Sequence, residues 1–317
     1  MRIVLSHPPA PESVSVEELR ALLADPERVL WVDLTGPETE HLELMEKVFG
    51  FHPLAIEDTR NQRQRPKVDE YEGHLFLILN PVVRDGAETT FRELDVFVGL
   101  NYVVTVHPEQ ESVVAEVELR LQRHSNGRPL TPGFLLYALV DTVVDGYFPV
   151  LDTIDEELSA LEDELLASPR EAILERLLAL KRSLIEVRRV VGPQRDMFNV
   201  LTRRDLGLID PELMRFHFRD VYDHLLRITD TVDTFRDLLT SMVDLYMSAI
   251  SNRLNVVVNR LTRVTVVIGA FAVITGFYGM NFNHTWPRLD SPWGTGFTLA
   301  LMGAVAFGLH RFFLRER

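Results

Sequence analysis

The sequence predicts an α+β soluble body, an α/β/α sandwich with a mixed sheet, followed by a long helical stalk and two membrane-spanning helices. Three observations carry this reading. Short apolar runs rich in β-branched residues alternate with helical patterns over the first 130 residues. No proline interrupts the stretch from Pro211 to Phe282, which turns from charged to apolar at Val264. Two uncharged runs, Val264–Met280 and Trp293–Leu309, follow, with arginines at their outer ends.

Composition narrows the function classes. A length of 317 residues allows two or three domains. A net charge of −14 speaks against a duplex nucleic-acid partner, which needs a basic patch for its phosphates. Cysteine is absent, which excludes disulfides, thiolate catalysis and cysteine–zinc sites. The start, Met1-Arg2-Ile3-Val4-Leu5-Ser6, is too short an apolar stretch for a signal peptide, so the bulk of the chain is expected in the cytosol.

Residues 1–130 read as one α/β domain. Val29–Leu34, His74–Leu79, Leu94–Leu100 and Tyr102–Val106 are expected buried strands, with a bend at Gly99-Leu100-Asn101. Helices are expected at Val16–Ala24, Pro37–Phe49 and Glu109–His124. A glycine-rich phosphate loop, HExxH and GxSxG are all missing, and no nucleophile–base arrangement stands out, so the chain does not read as an enzyme.

Residues 131–205 read as a helical hairpin. Phe134–Ala167 is expected as one helix, acidic toward its end, broken by Ser168-Pro169. A second, basic helix runs from Pro169 to about Arg203. Cross-pairing between acidic and basic faces is one reading, and two solvated faces is the other.

The stalk, 206–263, starts well: Pro211 gives up no needed N–H and Asp210 can cap. Asp223, Asp230, Asp237 and Asp244 recur every seven residues, beside an apolar stripe of Val221, Leu225, Ile228, Val232, Phe235, Leu239 and Met242. A solvated coiled-coil face explains the aspartates. An acidic column near an axis, attractive to divalent cations, is the functional reading beside it.

The run 264–280 spans roughly 25 Å as a helix, near the ~30 Å of a bilayer core. A polar loop, 281–292, leads to the second span and a basic cytosolic tail, together 293–317. The flanking arginines place both termini in the cytosol, and Trp286 and Trp293 suit the interface. A buried core hairpin is the alternative, which the matching basic flanks disfavour. Two helices cannot enclose a pore, so conduction would need several copies around an axis. Asn255, Val258, Leu261, Thr265, Gly269, Ala272 and Gly276 form one face with few large side chains, suited to a water-filled path or to close helix packing.

These residues resemble the CorA family of divalent-cation transporters. The signature is Gly279-Met280-Asn281 within Tyr278-Gly279-Met280-Asn281-Phe282, between the two apolar runs. Further matching stretches are His52-Pro53-Leu54-Ala55-Ile56-Glu57-Asp58, Phe218-Arg219-Asp220-Val221-Tyr222-Asp223-His224 and Ser251-Asn252. The resemblance covers essentially the whole chain. It implies a homopentameric channel in the plasma membrane that conducts Mg²⁺, and also Co²⁺ or Ni²⁺. Asn281 would form the entrance ring, where neutral amides hydrogen-bond the waters of an ion that dehydrates reluctantly. Asn255 would be an inner polar ring, with Val258 and Leu261 as the hydrophobic constriction. Regulatory Mg²⁺ would bind between subunits at Asp220 and, as partner, Asp85.

This chain departs from the family pattern in two places. Val258, Gly269, Ala270 and Ala272 stand where relatives often carry methionine, threonine or proline. In the outer loop, Trp286-Pro287-Arg288-Leu289 replaces an acidic sequence. Two alternatives stand beside the Mg²⁺ channel: a zinc transporter of the related ZntB type, against which Met280 argues, and a membrane-anchored scaffold that conducts nothing.

Overall fold

A computed structural model describes residues 1–7, 15–85, 88–108, 112–123, 130–203, 207–280 and 292–315. They form two compact units, Met1–Val243 and Asp244–Arg317. The first unit holds strands β1 (Arg2–His7), β2 (Val29–Thr35), β3 (Lys67–Tyr71), β4 (His74–Leu79), β5 (Val82–Asp85), β6 (Glu88–Phe91), β7 (Leu94–Val98) and β8 (Tyr102–His107). Six of these make a mixed sheet in the order β1-β2-β8-β7-β4-β3, and β5-β6 is a separate hairpin. Only β2 and β8 pair in parallel within the sheet, with Val32 opposite Val104.

Helices cover both faces, which is why β4 and β7 are buried along their whole lengths and apolar apart from His74 and Asp95. On one face lie α1 (Val16–Leu23), α2 (Thr39–Leu44) and α3 (Pro53–Asn61). There Leu19, Met45, Phe51 and Ile56 pack with Val32, Phe76, Phe97 and Val104 of the sheet. Phe51 stacks on Phe97 at 4.1 Å between ring centres. The other layer contains α4 (Ser112–Arg123), α5 (Pro132–Asp145), α6 (Tyr147–Ala167) and α7 (Glu171–Leu201). Within it α5 touches β7 and β8, and α7 touches β3 and β6. The result is the α/β/α sandwich expected from the sequence.

Several elements differ in extent. The helix expected over Phe134–Ala167 is two, α5 and α6, divided at Gly146. Pro149 is the reason: it has no N–H for the Asp145 carbonyl four residues back, and its ring crowds that oxygen. The Pro37–Phe49 helix begins at Thr39 and widens into a π-helical turn over Met45–Phe49, ended by Gly50 at φ 66°. Strand β7 stops at Val98. The turn that follows needs Gly99, because a Cβ there would lie 2.3 Å from the Tyr102 ring. Charge pairing in the helical layer also differs. Arg176 reaches Glu164 of α6 at 2.8 Å, but Arg188 of α7 pairs with Asp233 of α8 (Pro211–Tyr278), also at 2.8 Å.

Helix α8 runs without interruption for 68 residues, about 100 Å at 1.5 Å per residue. Its predicted apolar stripe, from Val221 to Met242, is buried, and Asp223, Asp230, Asp237 and Asp244 are exposed. The second unit comprises the rest of α8 and α9 (Pro292–Arg315). Among the described residues, three helical stretches are long and apolar enough to cross a membrane. That over Pro132–Ala167 is 67% buried in its apolar window and belongs to the core of the first unit. Those in α8 and α9 are 0% buried, and such unburied apolar surfaces mark a membrane or protein contact.

Candidate functional site

The membrane end of α8 has two distinct sides. Asn255, Val258, Leu261, Thr265, Gly269, Ala272 and Gly276 are all exposed. Arg263, Val267, Ala270, Phe271, Ile274 and Tyr278 are half-buried. At about 100° per residue the two sets centre roughly 170° apart on the helix. The half-buried side is the one on which Arg263 lies over the Phe313 ring of α9, at 5.6 Å. The small-residue face predicted from sequence is therefore turned away from that contact. Gly269 and Gly276 have nothing within 4 Å of a notional Cβ, so this face is smooth.

The helix closes with Gly279 N–H donating to the Thr275 carbonyl at 2.9 Å. A Cβ on Gly279 would lie 3.0 Å from that same oxygen, so a larger residue fits only if that carbonyl gives by a few tenths of an ångström. Met280 follows and is exposed. Asn281, Arg288 and the rest of the loop lie outside the described residues. With them lies the geometry of the predicted entrance ring.

In the first unit, carboxylates meet an imidazole between α5 and α8. One ligand atom each from Asp141, Asp145 and His224 lie within 4.8 Å of one another. Asp141 and Asp145 are one helical turn apart on α5, as are Asp220 and His224 on α8, so each pair shares a helix face. His224 Nδ1 is 3.5 Å from Asp145 Oδ1. Asp141, which is buried, also accepts from Arg120 Nη1 at 2.6 Å. Burial raises the Asp145 carboxyl above its ordinary range; Asp141 adds to this, His224 opposes it, and Asp220 contributes a smaller upward push. Oxygen donors with one imidazole suit a divalent cation, whose charge would relieve the carboxylate repulsion.

Asp220 is exposed, and its charge is felt by Tyr137 and Asp145 on α5. Asp85 ends β5, opposite Glu88 of β6. Sequence reasoning found Asp220 but missed Asp141, Asp145 and His224. The available signal was an acid or imidazole four residues from another acid on each helix. In a chain with 47 acidic residues that signal is too common to single out a pair.

Comparison with known proteins agrees with this architecture. The model of the CorA-like Mg²⁺ transporter protein family matches residues 26–315. The cobalt/magnesium transport protein CorA of Thermotoga maritima is 35% identical over 318 aligned positions, covering 96% of this chain and 90% of that protein. Its namesake from Methanocaldococcus jannaschii is 28% identical, covering 88% and 87%. The complete structure of the CorA magnesium transporter from Methanocaldococcus jannaschii superposes with a TM-score of 0.82 at 26% identity, covering 91% of each chain. These relatives are transport proteins, not enzymes. With a matching fold, two unburied apolar helices and a family match over nearly its full length, the chain belongs to the CorA-like Mg²⁺ transporter family.

Proposed function

We propose that this chain is one subunit of a homopentameric channel that carries divalent cations, Mg²⁺ first and Co²⁺ or Ni²⁺ beside it, across the plasma membrane. The observation that carries the reading is α8: one uninterrupted helix begins among the acidic faces of the soluble unit and ends, apolar, at Gly279 and Met280. Five copies around an axis would present the exposed face of α8 to the ion. Asn255 is then an inner polar ring, Val258 and Leu261 the constriction, and Thr265, Gly269, Ala272 and Gly276 the smooth outer path. Gly279, Met280 and Asn281 form the entrance, where the amide of Asn281 meets the waters of a hydrated Mg²⁺. Residues 1–130, 131–205 and 206–263 are cytosolic, 264–280 and 293–317 hold the spans, and 281–292 is the outer loop. Both termini face the cytosol.

Cytosolic Mg²⁺ regulates the channel in this reading. Asp220 carries the stalk ligand, Asp85 of a neighbouring subunit is its partner, and Asp141, Asp145 and His224 supply further donors beside Asp220. Ions that bind only the closed arrangement stabilise it, and their loss lets acidic faces repel. The test of the transport reading is flux into proteoliposomes, wild type against Asn281→Ala, with Mg²⁺, Co²⁺ and Zn²⁺ in separate arms. Mg²⁺ flux lost in the variant is expected. Equal flux in both proteins removes Asn281 from the entrance, and no flux of any ion in the wild type leaves the scaffold reading.

A further inference from the structure

In the second unit, α8 and α9 leave a groove of about 320 Å³ where the apolar runs give way to charge. Val264, Val267, Ile268, Ala306 and Phe313 line its apolar part, and Arg263 and His310 its polar end. We propose that this groove seats one anionic phospholipid of the cytoplasmic leaflet, its phosphate on the Arg263 guanidinium and an acyl chain along Val267, Ile268 and Ala306. The proposal rests on the membrane orientation given above.

Charge selects the headgroup. The chain as a whole carries −14, yet from Asp244 onward, outside the loop 281–292, the sequence has Arg253, Arg260, Arg263, Arg311, Arg315 and Arg317 against Asp244 and Glu316. Arg263 has no carboxylate within 4.0 Å among the described residues; its recorded partner is the Phe313 ring, 5.6 Å from the guanidinium carbon. A guanidinium held over a ring keeps N–H donors for a phosphate, and a basic pocket between membrane helices on the cytoplasmic side suits an anionic head.

Position selects a lipid over a soluble anion. Arg263 is the last charge before the uncharged run of α8, and the apolar windows of both helices are unburied. A soluble phosphate would leave Val267, Ile268 and Ala306 facing nothing, whereas an acyl chain covers them. On α8 the groove takes in half-buried Arg263 and Val267 and exposed Val264 and Ile268; none of the residues assigned to the ion face lines it, so an occupant leaves that face free.

Native mass spectrometry of the full-length protein, released from mixed phosphatidylglycerol and phosphatidylcholine, tests the proposal. The wild type is expected to retain phosphatidylglycerol preferentially. Arg263→Gln should lower that preference about fivefold, the effect of one basic residue at an anionic surface. Ala306→Phe fills the groove while keeping the charge, and should reduce retention of both lipids. Arg253→Gln, a charge change outside the groove, should alter neither. An unchanged preference in Arg263→Gln overturns the proposal. So does displacement of the lipid by free glycerol phosphate, or a changed subunit number in Arg263→Gln with lipid retention intact. Orientation is checked separately with Ser251→Cys, a single thiol in a cysteine-free chain. Labelling from inside with no lipid effect defeats the lipid site alone, and labelling only from outside defeats the orientation.

Discussion

Tyr147→Phe isolates one joint of the first unit. Tyr147 is fully buried at the start of α6. Its hydroxyl donates to the Asn80 carbonyl at 2.6 Å, just beyond β4, and accepts from Gln194 Nε2 of α7 at 2.6 Å. Three elements therefore meet at one oxygen. Phenylalanine preserves the ring and its packing but strands a buried carbonyl and a buried amide. Each unsatisfied buried group costs about 1–3 kcal/mol, so the pair comes to roughly 2–6 kcal/mol. At ~2–4 °C per kcal/mol for a unit of this size, melting should fall by about 4–24 °C. Thermal unfolding of the full-length protein in detergent, followed by tryptophan fluorescence with Trp286 and Trp293 replaced by Phe, reads this directly, since the remaining Trp31 is fully buried in β2. Adding Gln194→Met should make the double variant less unstable than the sum of the single changes, because the stranded amide is gone. A fall of less than about 2 °C in Tyr147→Phe, with additive effects in the double variant, refutes the reasoning.

Two further predictions concern carboxylates. Asp95 is 1% exposed, and burial first, then the charge of Glu93, raises its pKa well above the ordinary range. A raised acid contributes stability that is fully present below its unfolded value, about 3.9, and is lost as pH rises through the folded value. Asp95→Asn removes that dependence, so its melting temperature relative to wild type should climb between pH 4 and 8; parallel pH curves would show that Asp95 is not held protonated. Asp220→Lys should make conduction insensitive to internal Mg²⁺ in flux assays, and inhibition at the wild-type concentration would argue against Asp220 as the stalk ligand.

Within the sequence lay everything that one-dimensional patterning can encode. The runs His74–Leu79 and Leu94–Val98 announced sheet strands covered on both sides, because a strand buried on two faces has no polar alternation to hide it. Likewise, α8 and its apolar end could be read from the absence of proline and the seven-residue repeat alone. Strand β3, Lys67-Val68-Asp69-Glu70-Tyr71, could not, since an edge strand exposes charged side chains and loses its apolar signature. Nor could the division at Gly146, which depends on how Pro149 meets the preceding turn.

The sites divide in the same way. The small-residue face of α8 follows from helical periodicity, a property of one segment. The meeting of Asp141 and Asp145 with His224 joins positions about eighty residues apart and exists only once α5 packs beside α8. Local sequence sets the faces that each helix and strand presents. Which faces meet is a matter of long-range packing, and the groove beside Arg263, the hydroxyl of Tyr147 between three elements and the raised acid of Asp95 were all decided there.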